Sequence, residues 1–417
     1  SRHWEKRIGT TLNFLAVSHR HLGRGYALGG YNHPRSRMSE KSTYADLLRH
    51  YCATLRYWEQ EIDARRLTLV INGGKELAIC ARLAGIPFRV MNGSRYRNFH
   101  NWAVNEYFEN PQIAEGFLHG NDLAIPDLPF DRPYDNHLHN RNRFFKDVRA
   151  TRLLKRGAFE IARYCWWRLR GYEKARGYYL SENLRYFWRF WREWRRLVGL
   201  AQTTLEDLAN KPFVYFPLHI EPETALQGLS PEFFYQLSAI AAISRDLPAG
   251  VLLGVKEAYG AVGRRPADFY GQIAEFKNVV LLDPSVPGFE CARHAAATVT
   301  ICGTAGLESA LLGKCVVTFG RHNIYNVLPH VRVVTDEADL RRFLHEAVFS
   351  SDDPEERKRS GQRFLKSVVA NSFDMHDYDY FHPERLRSEA VLDACDTLIN
   401  SLKTAETPVL PRERSFA

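Results

Sequence analysis

Nothing in the chain approaches the roughly 18 consecutive apolar residues that a bilayer-spanning helix needs, so no segment is read as crossing a membrane. The basic start, Ser1-Arg2-His3-Trp4-Glu5-Lys6-Arg7, lacks the apolar centre of an export signal. The seven cysteines (52, 80, 165, 291, 302, 315 and 395) include no Cys-x-x-Cys pair. Their scatter excludes a disulfide frame and a zinc site, and points to reduced thiols in a cytoplasmic protein. Also missing are the Gly-x-x-x-x-Gly-Lys-Ser/Thr loop, the Gly-x-Gly-x-x-Gly fingerprint and the His-Glu-x-x-His helix, so NTP hydrolysis and hydride transfer lose support. There is no low-complexity segment.

What the chain does contain is globular: 417 residues, 45% hydrophobic and 25% charged, enough for two or three domains. Its net charge of +9 is local, because positions 143–196 hold 16 Lys and Arg against 5 Asp and Glu, a net of +11, and the rest sums to −2. Five of the eight tryptophans (166, 167, 188, 191 and 194) share that segment. At helical spacing Phe187, Phe190, Trp191, Trp194 and Val198 fall on one face and Arg185, Arg189, Arg192 and Arg196 on another. Two readings follow: the aromatic face packs on a domain beneath a solvated arginine face, or 143–200 lies on an anionic membrane surface, peripheral at the inner face of the cell membrane. No nucleic-acid module accompanies the patch, so nucleic acid is not expected as a partner.

Apolar runs and turn residues divide the rest into α/β units. Residues 11–18 read as a first buried strand, followed by a polar loop carrying His19 and His21. Residues 44–64 have helical spacing, and 67–71, 75–84 and 87–91 give strand, helix and strand. Residues 109–142 lack periodicity and read as irregular. A second α/β series begins at 212, with strands at 213–218, 251–255, 279–282, 296–301, 315–319 and 331–334 and helices between them; Ser230-Pro231 reads as a helix N-cap and N1. Such alternation predicts parallel sheets. The expected architecture has two Rossmann-like domains with parallel sheets facing a central cleft, with a helical basic-aromatic segment between them. The boundaries are 1–142, 143–210 and 211–382, and 383–417 supplies a C-terminal helix and tail.

Ligands gather at the carboxyl ends of strands in open parallel sheets. The polar residues fall there: His219, Glu221 and Glu223 after one strand, Lys256 and Glu257 after the next, Asp283 after a third, and Gly303-Thr304-Ala305-Gly306 after a fourth. Two glycines flanking a hydroxyl at a strand-to-helix junction admit an anion to free N–H groups at the positive end of a helix. Lys256, Arg264 and Arg265 are placed to neutralise a phosphate, and Glu308 to cap the helix or accept a ribose hydroxyl. Each residue taken alone reads more readily as a strand-end cap; their coincidence is what points to a nucleotide.

The series Tyr215-Phe216-Pro217-Leu218-His219-x-Glu221-Pro222-Glu223, Val255-Lys256-Glu257, Gly263-Arg264-Arg265, Phe269-Tyr270, Gly303-Thr304-Ala305-Gly306-Leu307-Glu308, Gly313-Lys314 and Phe319-Gly320 resembles bacterial capsule and surface-polysaccharide glycosyltransferases of the Kdo-transferase type over about 210–330. The resemblance implies a GT-B fold in which the C-terminal domain holds a nucleotide-sugar, the acceptor enters the cleft and the final helix packs back on the first domain. It implies a CMP-linked acidic sugar as donor, although those relatives continue Lys-Glu with His-Pro where this chain has Ala258-Tyr259. No cofactor or metal is implied, since cationic ligands can hold the phosphate. The catalytic candidates are His219, Glu221, Glu223 and His19, with His21 and Glu106 behind them. The expected acceptor is a glycan, lipid-linked or protein hydroxyl. UDP- or GDP-sugar transfer, nucleotide-sugar 2-epimerisation and a non-catalytic scaffold are the competing functions.

Overall fold

The computed structural model describes residues 1–17, 43–120, 125–130, 135–172, 180–220, 226, 230–233, 235–263, 265–266, 268–378 and 382–403. In the first half, β1 (Val70–Ile71) and β2 (Phe88–Gly93) pair in parallel through the helix Lys75–Leu83, the βαβ unit that the spacing predicts. β3 (Phe99–Ala103) then runs antiparallel to β2. Only residues 94–98 connect the two, too few for the crossover that parallel pairing requires. The N-terminal sheet is therefore mixed, a departure from the two parallel sheets expected.

The second half is parallel throughout. β4 (Phe213–Pro217), β5 (Leu252–Lys256), β6 (Val279–Leu281), β7 (Ala297–Thr300), β8 (Cys315–Thr318) and β9 (Val331–Val333) lie in the spatial order β6-β5-β4-β7-β8-β9. Val214, Phe216, Val255, Val299 and Val317 are fully buried on this sheet, because helices cover both faces and leave no solvated side for polar alternation. Two strands, β5 and β6, extend one way from β4, and two, β8 and β9, the other way from β7. The Rossmann order thus has its topological switch between those two strands.

Two local expectations change. Residues 12–17 form a helix rather than a strand: Thr11 Oγ1 accepts from the Phe14 N–H at 3.1 Å, and Leu12 and Leu15 bury one face. An apolar run of six carries too little period to separate the two states. Residues 109–142 contain the helices Pro111–His119 and Asp135–Asp147, the first capped by Asn110, whose Oδ1 accepts from Ile113 N–H at 3.2 Å. The basic segment continues as Ala150–Leu169 and Leu180–Leu200.

From the parallel domain the chain returns to the first sheet. β10 (Phe373–Asp374) pairs antiparallel with β3, and the helix Ser388–Lys403 covers the sheet. Its anchor is Arg89 of β2, a buried guanidinium that donates to Ser401 Oγ at 2.9 Å and to the Ser401 carbonyl at 2.7 Å. Trp102 Nε1–H adds a bond to the Ala394 carbonyl at 2.9 Å. Arg89→Met should lower stability by about 2 to 4 kcal/mol in chemical denaturation, since it keeps the volume but leaves buried acceptors unpaired. Limited proteolysis should then cut first within 388–403; an unchanged midpoint and cleavage pattern would show that the helix is held by apolar packing alone.

Candidate active site

A cleft of about 930 Å³ opens at the carboxyl ends of β4, β5 and β7, at the switch between β4 and β7. His219, two residues past β4, is fixed on every side. Its N–H donates to Gln236 Oε1 at 2.6 Å, and Gln236 Nε2 donates back to the His219 carbonyl at 3.0 Å. In the ring, Nε2 accepts from the Cys302 N–H at 3.1 Å, so the proton resides on Nδ1 and is donated to the Pro217 carbonyl at 3.1 Å. Burial, with Arg95 and Arg265 nearby, pushes its pKa down to about 3. The lone pair is already used. His219 therefore anchors the turn after β7 and is not available as the base expected from the sequence.

That turn opens the helix Thr304–Leu311, which begins at Gly303 with no side-chain cap. Gly303, Thr304 and Ala305 line the cleft, so the positive end of the helix dipole lies at its wall. Gly306 lies behind the wall. A Cβ there would meet Tyr325 Oη at 2.4 Å and Thr300 Cγ2 at 2.8 Å, so this glycine serves close packing rather than direct approach to a ligand.

Lys256 ends β5, with its Nζ 4.7 Å from the Tyr259 ring centroid; burial lowers its pKa. The neighbouring Glu257 is spent internally. Arg265 reaches it with Nη2–Oε1 2.6 Å and Nε–Oε2 2.8 Å, Tyr270 Oη donates at 2.8 Å, and Ala258 N–H at 2.6 Å. Arg265 also donates to the His219 carbonyl at 2.8 Å. Both members of this ion pair are buried, so neither Glu257 nor Arg265 is free to meet a ligand as the sequence reading proposed. Glu308, by contrast, lines the cleft, and burial raises its pKa to about 7.

The facing wall comes from elsewhere in the chain. Arg95, in the turn between β2 and β3, lines it with a left-handed backbone (φ 63°). The helical segment contributes Arg141, Arg143 and Arg156 with the rings of Tyr186 and Phe187. Arg141 donates to the Ser285 carbonyl at 2.7 Å, and Arg156 sits 5.3 Å from the Phe187 ring centroid. With Glu257 neutralised by Arg265 and Asp147 bound to Arg152 at 3.0 Å, the cleft is electropositive and suits an anion.

Of the candidates from sequence, His219, Lys256, Glu257, Gly303, Thr304, Ala305 and Glu308 meet at this cleft. Asp283 does not line it; its Oδ1 accepts from Ser285 N–H at 2.6 Å and shapes a turn. Glu106 is bound by Arg82 at 2.9 Å, away from the cleft. His19, His21, Glu221, Glu223 and Arg264 lie outside the described residues. Arg95 and the cationic helical wall went unread as site residues, because their chain separation from β4 and β7 leaves no local signal.

No protein-family model and no curated protein matches the chain. Solved structures similar to it include the Thermosulfurimonas dismutans KpsC beta Kdo 2,7 transferase, 12% identical, with 82% of this chain and 83% of that one covered at a TM-score of 0.38. The beta Kdo 2,4 transferase of KpsC from the same organism is 13% identical over 72% and 78% of the two chains, TM-score 0.33. A co-structure of S. aureus MnaA with UDP is 13% identical over 86% and 83%, TM-score 0.29. At these values the similarity transfers no residue roles.

Glu308 also sets a pH dependence. A carboxyl raised from 4.5 to about 7 binds its proton more tightly in the folded state, so its contribution is favourable below 4.5 and is lost as pH rises through 7. Glu308→Gln should therefore be more stable than the parent at pH 8, by up to about 3 kcal/mol, with the difference vanishing near pH 4.5. Thermal melts across that range test it; equal melting temperatures at pH 8 would place the Glu308 carboxylate in a fully compensated setting.

Proposed function

We propose that the protein is a glycosyltransferase that moves a sugar from a nucleotide-activated donor to a glycan, lipid-linked or protein acceptor. One observation carries the reading: an uncapped helix N-terminus opens at the switch point of a parallel sheet, beside a buried lysine and opposite a wall of arginines. That arrangement suits a nucleotide phosphate whose negative charge grows as the glycosidic bond breaks. In this reading the N–H groups at Gly303–Ala305 and the Lys256 ammonium hold the leaving phosphate. The donor is a CMP-linked acidic sugar, on the sequence resemblance around Lys256-Glu257, and the cations Arg95, Arg143 and Arg156 complement its carboxylate.

The acceptor hydroxyl must lose a proton as it bonds to the anomeric carbon. We assign this step to Glu308, which lines the cleft and whose carboxyl burial pushes up to about 7, towards working pH. Glu221, Glu223 and His19 are the further candidates for this step. The half-buried rings of Tyr186 and Phe187, which line the cleft, offer an apolar face for a sugar.

Thermal-shift titration with CMP, UDP, GDP and CDP tests the donor site. CMP is expected to raise the melting temperature most, and Lys256→Ala to weaken that binding by about 10- to 100-fold. Stabilisation by UDP or GDP in place of CMP would replace the donor but keep the transferase. Turnover of a UDP-sugar without acceptor would identify an epimerase, and no response to any of the four would remove the donor site altogether.

A further inference from the structure

The basic-aromatic segment has two unlike helices. In Leu180–Leu200 the rings of Phe190 and Trp194 pack on Phe144 with centroids 5.8 and 5.2 Å apart, as part of the parallel domain's core. Two of its arginines are tied down as well: Arg189 donates to the Arg265 carbonyl at 2.9 Å, and Arg196 pairs with Asp268. This helix is a structural wall.

The helix Ala150–Leu169 is different. Leu153, Gly157 and Glu160 form its buried stripe. About 110° round the helix from it, Leu154, Ala158, Ile161, Cys165 and Leu169 recur at helical spacing, and all are exposed. Leu154 is 75% and Leu169 84% exposed, with Trp166 beside them at 53%. A second apolar stripe beside the buried one has no use in a solvated helix, and among the described residues nothing covers it. The helix carries five cations, Arg152, Lys155, Arg156, Arg163 and Arg168, and one acid, Glu160, which is buried and bound by Arg163. Lys155 and Arg168 flank the apolar stripe on its two sides. A second copy on this face would bring like charges together, whereas an anionic surface would be attracted by them. No helix among the described residues is long and apolar enough to cross a bilayer, so the stripe would lie in the interface plane.

We infer that the outer face of helix Ala150–Leu169 docks the protein on an anionic bilayer surface, its apolar stripe entering the headgroup boundary and Lys155 and Arg168 meeting lipid phosphates. The nearby Trp188, 56% exposed with the Arg192 guanidinium 4.6 Å from its ring centroid, extends the same chemistry to the neighbouring helix. The inference is independent of the cleft's ligand, so loss of nucleotide binding leaves it standing.

Flotation of the full chain with vesicles tests it. The protein should float with phosphatidylcholine vesicles containing phosphatidylglycerol and remain below with phosphatidylcholine alone. The triple change Leu154→Ser, Ile161→Ser, Leu169→Ser should cut binding at least about tenfold without lowering the melting temperature, since all three side chains face outward. Lys155→Glu with Arg168→Glu should weaken it by about fivefold or more per site, and added salt should do the same to the parent. No flotation on anionic vesicles, or equal flotation of parent and triple variant, would overturn the inference. Concentration-dependent dimerisation of the parent, abolished in the triple variant, would also overturn it by making a second copy the occupant.

Discussion

The Cys302 N–H donating to His219 Nε2 at 3.1 Å ties together the two strand ends at which the sheet changes direction. The rest of the cleft depends on this bond. Gln236 holds the His219 backbone from one side and Arg265 from another, and Arg265 is in turn fixed by Glu257 and Tyr270. A protonated imidazole would present a second N–H to the Cys302 N–H and push the turn away, which is why the neutral ring must be preferred so strongly in the fold. Every member of the chain is buried, so the turn before Thr304 is set by the interior and is ready for a ligand without rearrangement.

The same network decides the sign of the cleft. Glu257 is the acid adjacent to Lys256, and its charge is consumed by Arg265 within the core. Lys256 is left to stabilise whatever anion arrives, with the Tyr259 ring as its neighbour. Positive charge from Arg141, Arg143 and Arg156 then closes the opposite side. Helices that read as an appendage between domains are thus part of the cleft wall, and the net charge of +11 over 143–196 is divided between an inward and an outward use.

Strand–helix alternation from 212 to 334 was legible because buried parallel strands leave unbroken apolar runs, and the turn at Gly303-Thr304-Ala305-Gly306 stood out between two of them. Which glycine meets a ligand was not legible. Gly306 was read as a phosphate ligand, yet its lack of a side chain is explained by the Tyr325 ring against it, a contact from 19 positions on in the chain. His219 misled for a similar reason: a histidine at a strand end looks like a base until the backbone N–H that occupies it is known. Arg95 could not be found at all, since only the folding of the β2–β3 hairpin over the parallel domain brings it to the cleft. The mixed N-terminal sheet escaped notice because β3 and β10 are short and carry polar residues such as His100, Asn101 and Asp374.

The return of the chain through β10 and the helix Ser388–Lys403 has a consequence for the order in which the protein is made. The parallel sheet is one continuous stretch, β4 to β9, and the helices Asp135–Asp147 and Leu180–Leu200 that pack on its core precede it, so this core can close as soon as it leaves the ribosome. The first sheet has to wait: β3 lacks its outer partner and Arg89 its acceptors until residues 373–401 emerge. The sheet whose strands come first in the sequence is therefore completed after the parallel one that follows it.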